Sequence, residues 1–204
     1  MLNKLRNHFQ FQIHRLSNPI LWTQTSESIF KVINQYGRKS MSLLEIGSGT
    51  GHLSYMLAKR GFSVSLNDIR PEVLNASKNI FKENNLRANY IKGDFTKILD
   101  TFDFAWNTGL IQCIPPKERN EFISRIRKIA PEVLLFYPDT QSPYKDIGKN
   151  TQITPGVDDA KEYEIQDIPE RFYSHFSHIE HGTLLAEEIK LPYNMYWIYG
   201  NKPL

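Results

Sequence analysis

The stretch LLEIGSGTGHL, Leu43 to Leu53, decides the reading of this chain: a short apolar strand ending in an acid, then a loop carrying Gly47, Gly49 and Gly51. Glycines adopt positive φ without strain and let a ligand come close to the backbone. The helix that follows turns its free N–H groups and positive dipole end towards whatever occupies the loop. The stretch therefore predicts a nucleotide-like ligand beyond the first strand. His52 stands where the dinucleotide fingerprint G-x-G-x-x-G takes its third glycine or an alanine, and that departure argues against NAD.

Outward from the loop, strand-like and helix-like patterns alternate. Upstream, SESIFKVINQYG predicts an amphipathic helix with Ser26 or Ser28 as N-cap, Ile29, Val32, Ile33 and Tyr36 on one face, and Gly37 as terminator. Downstream, the periodicity predicts a helix over Leu53–Lys59, a strand over Phe62–Leu66, a helix over Pro71–Lys82 with proline in its first turn, and a strand over Asn89–Lys92. Phe102–Trp106 then reads as strand, Lys117–Ile129 as helix and Glu132–Tyr137 as strand. This succession calls for a parallel sheet with helices on both faces, a doubly wound Rossmann-like α/β fold. From Pro138 to Asp159 the pattern lapses into proline, glycine, asparagine and charge, as expected of a long surface loop suited to a lid. A helix-like stretch near Ala160–Glu164 follows, and the runs around His178–Leu185 and Met195–Tyr199 read as a closing hairpin.

Three further segments carry chemistry. In VSLNDIRPEVL, Asp68 ends a strand about twenty residues beyond the glycine loop, the spacing at which a carboxylate accepts both ribose hydroxyls. In NYIKGDF, Asp94 and Phe95 end the next strand. In FDFAWNTGLIQCI, Asn107 to Gly109 end the fourth; a doubly wound sheet places its ligand crevice there, at the switch point between the first and fourth strands.

Taken together, E-x-G-x-G-x-G and these three segments occur in the order that resembles the class I S-adenosylmethionine-dependent methyltransferases, over Leu43 to Tyr137. The resemblance implies a single domain with a central seven-stranded sheet whose last strand is antiparallel, a helical cap over residues 1–40, a cofactor-binding core over 41–140, and a lid loop with C-terminal strands over 141–204. It implies S-adenosyl-L-methionine as cofactor and S-adenosyl-L-homocysteine as product. Glu45, Gly47, Gly49, Gly51, Asp68, Ile69, Asp94, Phe95 and Asn107 would form the cofactor site, with Asp94 accepting from the adenine amine and Phe95 against the ring. Trp22, Gln112, Tyr137, Asp139 and Tyr144 are the candidates for substrate contact. Relatives often carry an acid–histidine pair where Gln112 and Cys113 stand, so no acid/base role transfers from them and no catalytic residue is singled out. The expected reaction is direct in-line methyl transfer to a small-molecule N, O or C nucleophile. An NAD-type oxidoreductase, opposed by His52 and Glu45, and a non-catalytic cofactor-binding partner subunit are the competing readings.

The bulk composition agrees with one domain. The chain has 204 residues, 40% of them hydrophobic, which suits one filled core. A net charge of +3 and a pI near 8.8 are too mild for a dedicated nucleic-acid binder. A lone cysteine, Cys113, leaves no internal disulfide framework and suits a reducing cytoplasm. No apolar run is long enough to span a bilayer, and a monomer or homodimer is expected. Lys4, Arg6 and Arg15 all precede the first acid, Glu27, as in a transit peptide, but the segment is serine-poor and reads better as a cap on the domain. His175, His178 and His181 fall in an extended region where odd spacing alternates faces, so no metal site is expected. Cys113 reads as a small buried hydrophobe, since methyl transfer needs no covalent intermediate.

Overall fold

The computed structural model describes residues 19–138, 165–189 and 194–204. In chain order these form α1 (Pro19–Tyr36), β1 (Ser42–Ile46), α2 (His52–Lys59), β2 (Ser63–Asp68), α3 (Pro71–Glu83), β3 (Asn89–Lys92), β4 (Phe104–Thr108), α4 (Arg119–Ile129), β5 (Glu132–Pro138), α5 (Ile168–Tyr173), β6 (Phe176–Leu184), α6 (Ala186–Ile189) and β7 (Met195–Pro203). The seven strands make one sheet in the order β3-β2-β1-β4-β5-β7-β6. β1 to β5 run parallel, and β7 is antiparallel to both its neighbours. The order reverses between β1 and β4, so the parallel strands present Ile46, Asp68, Lys92, Thr108 and Pro138 along one edge.

Alternation along each strand divides the apolar residues between two cores. Leu43, Phe104, Trp106 and Phe136 pack with α1, α2 and α3 on one face, through Ile33, Leu57 and Phe81. Leu44, Ile46, Ala105 and Leu135 pack with α4 and α5 on the other, through Phe122, Ile126 and Phe172. Tyr36 fastens the end of α1 to the far strands: its ring stacks on Tyr199 at 3.8 Å and its hydroxyl donates to Glu180 at 2.9 Å.

The start of α1 differs from the sequence reading. Ser26 and Ser28 lie inside the helix, not at its N-cap, and Ser26 is fully buried. Serine favours caps because it competes for backbone groups, but here packing of the Ile29–Tyr36 face overrides that preference, and Pro19, acceptable in a first turn, begins the helix. Elsewhere the shifts are of one or two residues, except that the last strand runs on four residues past Tyr199, to Pro203. β4 begins at Phe104 instead of Phe102 and runs on to Thr108, and α4 begins at Arg119 after a short turn over Pro116–Glu118. The closing hairpin is present as β6 and β7. α5 was not anticipated; Ala160–Glu164 and nearly all of the Pro138–Asp159 loop lie outside the described residues. Among the described residues no helix is long and apolar enough to cross a membrane.

Candidate functional site

The glycine loop leaves β1 with three left-handed residues, Gly47 at φ 67°, Gly49 at 55° and Gly51 at 69°. Gly51 caps α2, and a Cβ there would fall 2.1 Å from Leu66 Cδ2, so a side chain is excluded by space as well as by φ. Two bonds from β2 hold the loop: Ser48 N donates to Asn67 O at 2.8 Å, and Gly49 N to Asp68 Oδ2 at 2.8 Å. The loop and the acid nineteen residues beyond it are thus one unit. Asp68 is buried, and its carboxylate also accepts from the Arg70 backbone N at 2.9 Å and from its guanidinium.

Beneath the loop lies Glu45, enclosed in the core. Its Oε2 accepts from Ser54 N at 3.3 Å and Ser54 Oγ at 2.5 Å, joining β1 to α2 under the glycines. Burial pushes this carboxyl up to about 7, against the pull of the Ser54 hydrogen bonds, and the nearby Asp68 charge adds to the rise. Asn107, completely buried, donates from Nδ2 to Ile46 O at 3.0 Å and accepts from Leu110 N at 3.2 Å. Glu45 and Asn107 therefore meet protein, not open crevice, and shape the loop from below.

Asp94 is exposed and caps the turn Phe95–Lys97, accepting from Thr96 N at 2.9 Å. Phe95 packs edge-on against Phe122 at 5.0 Å. Ile69, beside Asp68, is 61% exposed. Asn67 binds this side of the site together: its Nδ2 donates to Ile91 O at 3.0 Å and Gly93 O at 2.9 Å, while Gly93 N donates to Asp68 O at 3.0 Å. Sequence reasoning passed over Asn67, although a polar residue at a buried strand position next to the acid was a signal. Arg70 was passed over too.

At the end of β4, two buried oxygen atoms have no partner, Thr108 Oγ1 and Gln112 Oε1. Tyr137 ends β5 beside Tyr196, ring centroids 5.9 Å apart; burial first, then the Tyr196 and Tyr173 phenols, raise its own phenol well above the ordinary tyrosine range. It is a donor at neutral pH, not a base. The backbone of Trp22 runs in α1, while its side chain, Asp139 and Tyr144 lie outside the described residues. The structure brings Gly47, Gly49, Gly51, Asp68 and Ile69 together at the ends of β1 and β2, with Asp94 and Phe95 beside them, Asn107 buried near the end of β4 beneath the loop, and Gln112 in the turn after β4.

A family model described as a methyltransferase domain matches residues 43–131. A curated protein of Geobacillus sp. (strain WCH70) that bears a provisional methyltransferase name is 25% identical over 142 residues, 67% of this chain; the match spans 58% of that relative's length. The fold is similar to that of magnesium protoporphyrin IX methyltransferase from Synechocystis PCC 6803 with bound SAH, at TM-score 0.68 and 17% identity, covering 88% of this chain and 83% of that one. It is also similar to a TehB-like SAM-dependent methyltransferase from Corynebacterium glutamicum, at TM-score 0.65 and 16% identity, covering 97% and 100%.

Proposed function

We propose that the chain is a class I S-adenosylmethionine-dependent methyltransferase, a reading supported by the methyltransferase-domain match over residues 43–131, and that it transfers the methyl group of S-adenosylmethionine to a small-molecule N, O or C nucleophile. The observation that carries this reading is the union of glycine loop and acid, Gly49 N on Asp68 Oδ2 at 2.8 Å, at the switch point of the sheet. The residues present fit the cofactor. Positive-φ glycines leave backbone open to close approach, Asp68 is the acceptor for a ribose diol, and exposed Ile69 with Asp94 and Phe95 offers an apolar surface and a carboxylate for an adenine. Gln112 and Thr108 hold unpaired acceptors for the remaining donors of cofactor or substrate.

When bound, S-adenosylmethionine supplies a sulfonium-activated methyl group that needs no covalent enzyme intermediate. The work left to the chain is alignment and exclusion of water, which can be worth ~10⁵ M or more in effective molarity. Tyr137, held protonated, orients an acceptor by donating a hydrogen bond, and Gln112 takes one; Trp22, Asp139 and Tyr144 complete the proposed substrate set. A small acceptor is supported by the mild charge of the chain. The test is incubation with methyl-labelled cofactor and metabolite extracts. A labelled product formed by the wild type and lost in Asp68→Asn is expected. Cofactor binding with no transfer to any fraction would instead support a non-catalytic partner subunit.

A further inference from the structure

Asp68 is oversubscribed for a residue that is to receive two ribose hydroxyls. A carboxylate offers about four lone-pair sites, and four N–H donors already occupy them: Gly49 N, Arg70 N, Arg70 Nε at 3.0 Å on Oδ1, and an Arg70 terminal nitrogen at 3.2 Å on Oδ2. Two of these are backbone donors, fixed by the glycine loop and by the start of α3, where Arg70 is the N-cap. The other two belong to one guanidinium, which grips both oxygens as a fork. Its side chain is 17% exposed against 4% for Asp68, so it is the outer of the two layers.

We propose that Arg70 is a specificity-determining cover of the ribose subsite: its guanidinium occupies the acceptor atoms of Asp68 in the free chain and must withdraw for a vicinal diol to take its place. The inference rests on the reading of Asp68 as the ribose acceptor. A ribose brings two O–H donors and so replaces both lost bonds. A ligand that cannot do so leaves the carboxylate short of donors, and the cover stays shut against it. The guanidinium swings on its own stem while Gly49 N and Arg70 N keep the carboxylate aimed, so the exchange needs no movement of the loop.

The experiment compares wild type, Arg70→Met and Arg70→Lys in calorimetric titrations with adenosine, S-adenosylhomocysteine and methionine. Adenosine carries the diol without net charge and methionine carries no ribose. Arg70→Met is expected to bind adenosine and S-adenosylhomocysteine about fivefold more tightly, the scale of one partly exposed ion pair, with methionine unchanged and Arg70→Lys between. Raising salt should tighten adenosine binding to the wild type and not to Arg70→Met, because salt screens the pair that competes; the wild-type series stands even if a variant folds poorly. Adenosine binding that is weaker or unchanged in Arg70→Met would overturn the cover. Failure of the wild type and both variants to bind adenosine or S-adenosylhomocysteine would remove the ribose reading itself, and the cover with it.

Discussion

Glu45 shows what the site costs at the scale of one residue. Its carboxyl rises from an ordinary 4.5 to about 7 because burial disfavours the charged form. The native state therefore keeps a proton over a range in which the unfolded chain has released it. Stability from this group is fully present below about 4.5 and is lost as pH rises through about 7. By the shift, the loss amounts to about 3 kcal/mol at most. Urea unfolding of wild type and Glu45→Gln from acid to mildly alkaline pH checks it: the wild type should lose stability relative to Glu45→Gln as pH rises, and a constant difference would show that Glu45 does not titrate in this window. The acid before the glycines was legible in the sequence, but its position under the loop was not, because its partner Ser54 is only one of several polar residues in that stretch and nothing local marks it. Asp68 was legible by spacing; the hold of Arg70 on it was not, since an arginine two residues on reads as an ordinary exposed charge.

At the scale of elements, strands β1, β4 and β5 were readable because they are buried on both faces and appear as short, mainly apolar runs between turn signals, whereas β3 is a half-exposed edge strand. What tied them into a site was harder to read. The contribution of Asn67, which fastens the end of β3 to β2 through two carbonyls, lies in pairings that become visible only once the strands are adjacent. Asn67→Ala leaves both carbonyls without this partner and should cost about 1–3 kcal/mol by denaturant unfolding. It should also weaken S-adenosylhomocysteine while sparing methionine, because Asp94 and Phe95 hang from that strand end. Equal losses for both ligands would place the adenine elsewhere. The first turn of α1 was misread for the opposite reason: the local cap signal at Ser26 was clear, and tertiary packing overrode it.

For the molecule as a whole, the four segments together specified more than any of them alone. A strand–glycine loop–helix unit, an acid ending the second strand and polar ends on the third and fourth agree only in a sheet that reverses between β1 and β4, as observed. The antiparallel β7 was implied by resemblance to the family, since periodicity alone says nothing of strand direction. The central claim is that this sheet edge is built for S-adenosylmethionine and its product, not for a nicotinamide dinucleotide. Calorimetric titration with S-adenosylhomocysteine and with NAD tests it most directly. The account predicts low-micromolar or tighter binding of S-adenosylhomocysteine, about −8 kcal/mol, weakened by about 2 kcal/mol in Asp68→Asn, and no heat with NAD. Binding of NAD without S-adenosylhomocysteine would contradict it.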